Sequence, residues 1–442
     1  MYLTRKIDQS LLEWINLPNR KPLLLRGARQ VGKTSTVHQL AKQFQFFLPI
    51  NFDERKSLVR IFDNAEGVKD VCEQLSILTN TPIIHGRTLL FLDEIQAAPS
   101  ALRMLRYFHE KMPDLHVIAA GSLLEFALED LPSFATGRVR SLFMYPLSFP
   151  EFLNANGEKM LLEKLNQAGA GASLPDSLHQ KLIGLLKKFL ITGGMPEAVS
   201  AYVSGGNLLE VQRILNDLLM GLQADFAKYK RKVPGERLSE VFRSVAGQTG
   251  NKFSYKPLDA TLHYKQIKDA LQLLSMAGII HPVVHSSGNG IPLGAEVNPK
   301  KTKFLVYDTG IFQRLLGLDL QTMLTDDNFD AVNKGNIAEL FVGLEILKAQ
   351  DPYEQTHLHY WHRESRNSQA EVDYLLQVGG KIAPVEVKAG TRGGMQSMFL
   401  FLKEKKQPKG YRLSLENFSS MDSVDILPFY AAYKLIGNPT ER

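Results

Sequence analysis

One cysteine, Cys72, stands in the whole chain, which excludes an internal disulfide framework and a cysteine-rich zinc site. No unbroken apolar stretch of roughly 18 residues occurs, so no transmembrane helix is expected. The opening MYLTRKIDQS lacks the apolar core of a secretory signal, and none is expected there. These absences point to a cytoplasmic protein with no membrane partner. Disorder is excluded as well, because 44% of residues are hydrophobic and only 22% charged. At 442 residues the chain is too long for one core and implies roughly two to four domains. A net charge of +6 with a pI near 9.0 permits a polyanionic partner without demanding one.

What the chain does have begins at residue 23, in LLLRGARQVGKTST. A short apolar run, Leu23 to Leu25, leads into Gly27-Ala28-Arg29-Gln30-Val31-Gly32-Lys33-Thr34-Ser35 and then a helical pattern, the strand, loop and helix order of a P-loop. Glycine lets such a backbone curl so that its N–H groups face phosphate, and the helix dipole favours the anion. Lys33 is then the residue that reaches the β- and γ-phosphates of ATP, and Thr34 the hydroxyl on Mg²⁺. Downstream, RTLLFLDEIQ reads as a buried parallel strand ending in Asp93 and Glu94. An acid at the carboxyl end of such a strand lies where open α/β sheets bind ligands. In the Walker B reading Asp93 holds Mg²⁺ through water and Glu94 orients the attacking water. Asn51 and Phe52 are expected to finish one more strand. HVIAAGS is another, placing Ser122 at the sensor position of AAA+ ATPases. Arg138 and Arg140, in ATGRVRSLF, are the arginine-finger candidates, Arg138 foremost. A finger acting in trans would require a homo-oligomer, whereas one in cis would not.

The middle of the chain is expected to be helical, with a lid over 156–235. Residues 236–300 then have a winged-helix order: a helix around LSEVFRSVAGQTG, a short helix in FSYKPLDATL, and a third helix carrying Ile267, Leu271 and Leu274. A hairpin from HPVVHSSGNGIPLG completes it. Lys265 and Lys268 on the third helix are placed to meet DNA phosphates.

The C-terminal third, 301–442, contains EVDYLLQVGGKIAPVEVK. If Gly379-Gly380 is a two-residue hairpin loop, Asp373 lies across from Glu386 and Glu371 across from Lys388. Opposed carboxylates repel, and a divalent cation between them, Mg²⁺ or Mn²⁺, would reverse the sign. Upstream, KGNIAELFVGLEILK puts Ile337, Leu340, Phe341, Leu344 and Leu347 on one stripe. Glu339 lies off that stripe, but Gly335, Val342 and Ile346 share its side, so it is expected to be partly enclosed and to need a cation or a proton. Glu339, Asp373, Glu386 and Lys388 make the acidic helix–strand–strand set of PD-(D/E)xK nucleases, with Lys388 positioning water or the scissile phosphate. Asp308, in LVYDTGIFQRLLG, is expected to be structural.

On GARQVGKT, LLFLDEIQ, GSLLEF, GRVRSLFMYPLSFPEF, GGMPEAV, KFLVYDTGIFQRLLG, AEVDYLL and PVEVKAG, the chain resembles the AAA+ ATPases whose C-terminal part is domain of unknown function 4143. The resemblance implies an α/β P-loop core over 1–155, a winged helix, a nuclease-like end and Mg²⁺-ATP as ligand. The function expected is therefore an ATPase acting on DNA, with a C-terminal site that grips or cleaves the backbone. The rival is a nucleotide-switched signalling or scaffold ATPase without nuclease chemistry.

Overall fold

A computed structural model describes residues 1–122, 124–129, 137–229, 233–256, 263–318, 336–363, 370–389 and 394–437. The short helix expected in FSYKPLDATL falls largely on 257–262, outside them. Two compact units are present, one of residues 1–145 with 351–355, the other of 146–350 with 356–442.

The first unit is built on a five-stranded sheet of β1 (Leu23–Arg26), β2 (Phe46–Asn51), β3 (Thr88–Asp93), β4 (His116–Ala120) and β5 (Arg140–Phe143), in the order β2-β3-β4-β1-β5. Every pairing is parallel. Parallel strands are covered on both faces and therefore read as unbroken apolar runs; β3 and β4 are buried at every residue. Alternate side chains, Leu48 and Ile50, Leu90 and Leu92, Val117 and Ala119, share one core. They meet Phe62 of the helix Val59–Asn64, Val71 and Leu75 of Val68–Thr79, and Leu102, Leu105 and Phe108 of Pro99–Lys111. The loop after β1 and the end of β3 emerge at the same, carboxyl edge of the sheet, the edge where such folds bind ligands.

The second unit begins with helices Phe149–Ala155, Lys159–Gln167, Asp176–Thr192, Pro196–Gly205 and Leu208–Asp225, followed by Gly235–Gly247 and Tyr264–Met276. Ser148 caps the first through a reciprocal box with Glu151. Its sheet has eight strands: β6 (Ile280–Ser286), β7 (Val297–Val306), β8 (Leu358–His362), β9 (Glu371–Val378), β10 (Lys381–Val387), β11 (Gly410–Ser414), β12 (Ser419–Met421) and β13 (Val424–Pro428). Their order is β12-β13-β11-β10-β9-β8-β6-β7.

This topology changes the expected domain plan. The 280–306 hairpin does form, but β6 also pairs in parallel with β8, so the hairpin is part of the C-terminal sheet rather than the wing of a separate module. β7 runs across the expected boundary at 300/301, and the compact units divide after Tyr145 rather than after residue 155. A helix, helix and hairpin order looks the same whether the hairpin is free or annexed by a long-range parallel strand. Among the described residues no helix is long and apolar enough to cross a membrane.

The helix Asn336–Ala349 is buried at every residue from Ala338 to Leu347, Glu339 and Glu345 included. Each carboxylate has a partner there. Glu345 accepts from the Phe149 N–H at 3.0 Å and faces Lys348 at 3.4 Å, while Glu339 meets Lys303 at 2.9 Å.

Candidate functional site

In the first unit the strand β1 ends at Arg26 and the helix Lys33–Ala41 starts seven residues on. Between them Gly27, Gln30 and Gly32 have φ of 148°, 62° and 101°. A Cβ on Gly27 would lie 2.1 Å from the Met144 carbonyl oxygen, so only glycine fits beside the chain leaving β5. The loop is therefore held tight against backbone on one side, while Arg29, Gln30, Thr34 and Ser35 are exposed on the other and Ala28 and Val31 are buried.

Lys33 is buried and donates to the carbonyls of Gly27 at 2.8 Å and Ala28 at 2.7 Å. Burial lowers its ammonium to about 8, against the pull of Glu94 and Asp93. The Thr34 hydroxyl donates to Asp93 Oδ2 at 2.8 Å, so the helix start and the β3 end are in direct contact. Asp93 Oδ1 accepts from the Glu94 N–H at 3.1 Å, and burial raises the Asp93 carboxyl above its ordinary value. A hydroxyl and a carboxylate oxygen side by side next to an ammonium form the hard-oxygen set that suits Mg²⁺ carrying phosphate ligands. Thr34 and Asp93 are the residues that could hold that ion.

Glu94 leaves the strand with φ of 48°. Its Oε2 accepts from the Gln96 amide at 2.5 Å and from the Ser122 hydroxyl at 3.3 Å. Ser122, expected as the sensor residue, thus lies within hydrogen-bond reach of Glu94, expected as the base. Gln96, at the end of RTLLFLDEIQ, is a residue that sequence reasoning misses. A Cβ at Gly121 would sit 2.2 Å from Gln96 Oε1, so the glycine before Ser122 makes room for the amide. Arg138 pairs with Glu110 at 3.1 Å and is half exposed, while Arg140 covers the Tyr353 ring, its guanidinium carbon 5.4 Å from the centroid. Arg26, just before the loop, pairs with Glu125 on the helix Leu124–Glu129.

In the second unit the β9–β10 hairpin has the expected register, from Val378 opposite Lys381 to Tyr374 opposite Val385. Past the last pair, Asp373 Oδ2 accepts from the Val387 N–H at 2.7 Å. The ion pairs differ from expectation. Glu371 meets Lys303 at 2.6 Å rather than Lys388, and Lys388 meets Glu386 at 2.5 Å. The reason is Lys303, which arrives from β7, is wholly buried, and touches Glu339 and Glu371 together. Burial opposes its charge, yet Glu339, Asp373 and Glu371 hold it protonated above its ordinary value. Burial raises the carboxyls of Glu339, Asp373 and Glu386.

The structure thus brings Glu339, Asp373, Glu386 and Lys388 into one electrostatic neighbourhood, around a lysine. Among the described residues no set of three or more His, Cys, Asp or Glu side chains stands ready to hold a metal ion. As arranged, these acids do not fit Mg²⁺ or Mn²⁺. Asp308 is structural as expected: it caps the helix Thr309–Leu315 through the Ile311 N–H at 3.0 Å and accepts from the Gly194 N–H at 2.6 Å.

Three family models match the chain. An AAA domain, AAA_14, matches residues 19–153, domain of unknown function 8612 matches 183–322, and domain of unknown function 4143 matches 334–431. No curated protein matches. Among solved structures, the Walker-type ATPase PABY2304 of Pyrococcus abyssi is 17% identical with a TM-score of 0.47, over 71% of this chain and 96% of that one. The Aeropyrum pernix ORC1 protein in complex with DNA is 14% identical with a TM-score of 0.25, over 72% and 93%. Cdc6p from Pyrobaculum aerophilum is 11% identical with a TM-score of 0.25, over 72% and 96%. The AAA-domain match over 19–153 takes in Lys33, Thr34, Asp93 and Glu94, so the site built on the first sheet lies wholly within the matched residues.

Proposed function

We propose that the protein is a Mg²⁺-dependent ATPase that acts on DNA, with its second unit gripping the backbone. The Thr34–Asp93 contact carries the ATPase part, because it joins the two halves of a phosphate and metal site that are far apart in sequence. Lys33 leaves the Gly27 and Ala28 carbonyls and turns its ammonium to the β- and γ-phosphates. Thr34 and Asp93 would hold Mg²⁺, which would supply neutralisation of phosphate charge. Glu94 orients the attacking water and takes its proton, and Gln96 and Ser122 aim its carboxylate. Arg138 can serve as an arginine finger only by giving up Glu110.

DNA as the partner is supported by a basic, aromatic surface on the second unit. Tyr255 packs on Tyr264 at 4.7 Å, so the segment carrying Lys252 and Lys256 meets the helix start that carries Lys265 and Lys268, all four exposed. Tyr264 is 60% exposed, and an aromatic face among lysines suits stacked bases and phosphates. Binding should weaken steeply with salt, and each lysine replaced by alanine should lower the log–log slope by about 0.9. A mobility-shift titration at low salt, run with an ATPase assay, tests this. If saturating DNA changes neither mobility nor turnover, the DNA reading fails and a nucleotide-switched scaffold takes its place.

A further inference from the structure

The acidic cluster of the second unit already contains a cation. Lys303 Nζ lies 2.9 Å from Glu339 Oε1 and 2.6 Å from Glu371 Oε1, with its side chain fully buried. Its ammonium stands 5.0 Å from the centroid of the Tyr360 ring, so an aromatic face walls one side. We infer that Lys303 is the permanent counter-ion of Glu339, Glu371 and Asp373, taking the place a divalent ion would need. Metal-dependent hydrolysis is therefore closed to this cluster while Lys303 is in place.

Two independent observations support the inference. The first is the occupancy of the oxygens. A divalent cation needs about six oxygen ligands at close range. Here Glu339 and Glu371 each give an oxygen to Lys303, Asp373 gives one to the Val387 N–H, and Glu386 gives one to Lys388. The second is a site short of positive charge on its far side. Glu386 is buried, and among the described residues its Oε2 has no hydrogen-bond partner. A buried carboxylate oxygen is costly unless paired, but a divalent ion there would also need the Glu339 and Glu371 oxygens that Lys303 holds. Lys303 satisfies the cluster on the Glu339 side only, so the remaining oxygens would become metal ligands once the lysine is gone. The opposite rim is the turn at Gly250, where a Cβ would lie 3.1 Å from Glu339 Oε2, so the cluster adjoins the segment that carries Lys252.

The inference refines the gripping role proposed for the second unit, yet it stands whether or not DNA is the partner. The full chain carrying Asp93→Asn, which silences the nucleotide site, is titrated with MnCl₂ alone, following free Mn²⁺ by its EPR signal and melting by scanning calorimetry. With Lys303 present, millimolar Mn²⁺ should leave the melting temperature of the second unit unchanged. Lys303→Met strands three acids and should lower it by about 10 °C. Mn²⁺ should then restore most of that loss and bind at least about tenfold more tightly than to the parent. If Lys303→Met does not fold without metal, its recovery only in Mn²⁺ gives the same answer. Lys303→Met/Glu371→Gln, with one acid fewer, reads metal binding in a folded background. Mn²⁺ binding to the parent that Asp373→Ala and Glu386→Ala both abolish would overturn the inference. So would a Lys303→Met chain of unchanged stability that ignores Mn²⁺. Failure of DNA binding in the mobility assay touches neither result.

Discussion

Replacing Asp308 with alanine should unfold the second unit early while leaving the first intact. Asp308 is 1% exposed and joins two stretches remote in sequence, GGMPEAV and VYDTGIF. Its Oδ2 accepts from the Gly194 N–H at 2.6 Å, and its Oδ1 accepts from the Ile311 N–H at 3.0 Å. Gly193 is held there at φ of 71°, where a Cβ would lie 2.3 Å from Asp308 Oδ1. Truncation leaves two buried N–H groups without acceptors, at about 1–3 kcal/mol each. Relief of burying the carboxylate, which burial already pushes up, offsets part of this. The net loss is about 2–4 kcal/mol, or about 1 M in the urea midpoint. The two tryptophans separate the units, Trp14 in the first and Trp361 in the second. In a Trp14→Phe background, Trp361 fluorescence follows the second unit alone. Asp308→Asn keeps an acceptor and should recover about half the loss. A midpoint for Asp308→Ala within 0.2 M of the parent, on the order of measurement error, would refute the argument, as would Asn behaving no better than Ala.

Two further outcomes follow from the first unit. Gln96→Ala removes the 2.5 Å bond to Glu94 while leaving Lys33, Thr34 and Asp93 in place. Turnover should fall roughly tenfold with KM for ATP within about threefold, and a proportional change in KM would instead mark Gln96 as a binding residue. His116 is lowered by burial from 6.5 to about 4. The unfolded chain therefore takes up a proton between those values that the fold refuses. The His116 contribution is whole above pH 6.5 and is lost as pH falls toward 4, by up to about 3 kcal/mol. Urea midpoints read from Trp14, whose ring meets His116 edge-on at 5.6 Å, should show this in a Trp361→Phe chain. His116→Asn should flatten the profile, and an equally steep decline in that variant would assign the acid sensitivity elsewhere.

The candidate nucleotide site was legible because its parts are local. Gly27, Gly32, Lys33 and Thr34 are neighbours in the chain, and a buried parallel strand announces itself as an apolar run ending in Asp93. The hairpin register was legible for the same reason, since a Gly-Gly loop sets every pair after it. Lys303 was not, because KKTKF contains three lysines and only tertiary packing buries one of them. The one hint is that Lys303 shares the strand phase of Leu305, which is also fully buried. The β6–β8 pairing was hidden likewise, a parallel contact across a long separation. Gln96 was in plain sight, but its amide matters only because Gly121 leaves it room.

The central claim is that Lys33, Thr34, Asp93 and Glu94 form one ATP-hydrolysing site. The most direct test is single-turnover hydrolysis of radiolabelled ATP by the full chain and by Glu94→Gln, with nucleotide binding measured on the same samples. The account predicts that Glu94→Gln binds ATP as the parent does and hydrolyses it at least about 100-fold more slowly. Parent-like hydrolysis by Glu94→Gln would contradict it.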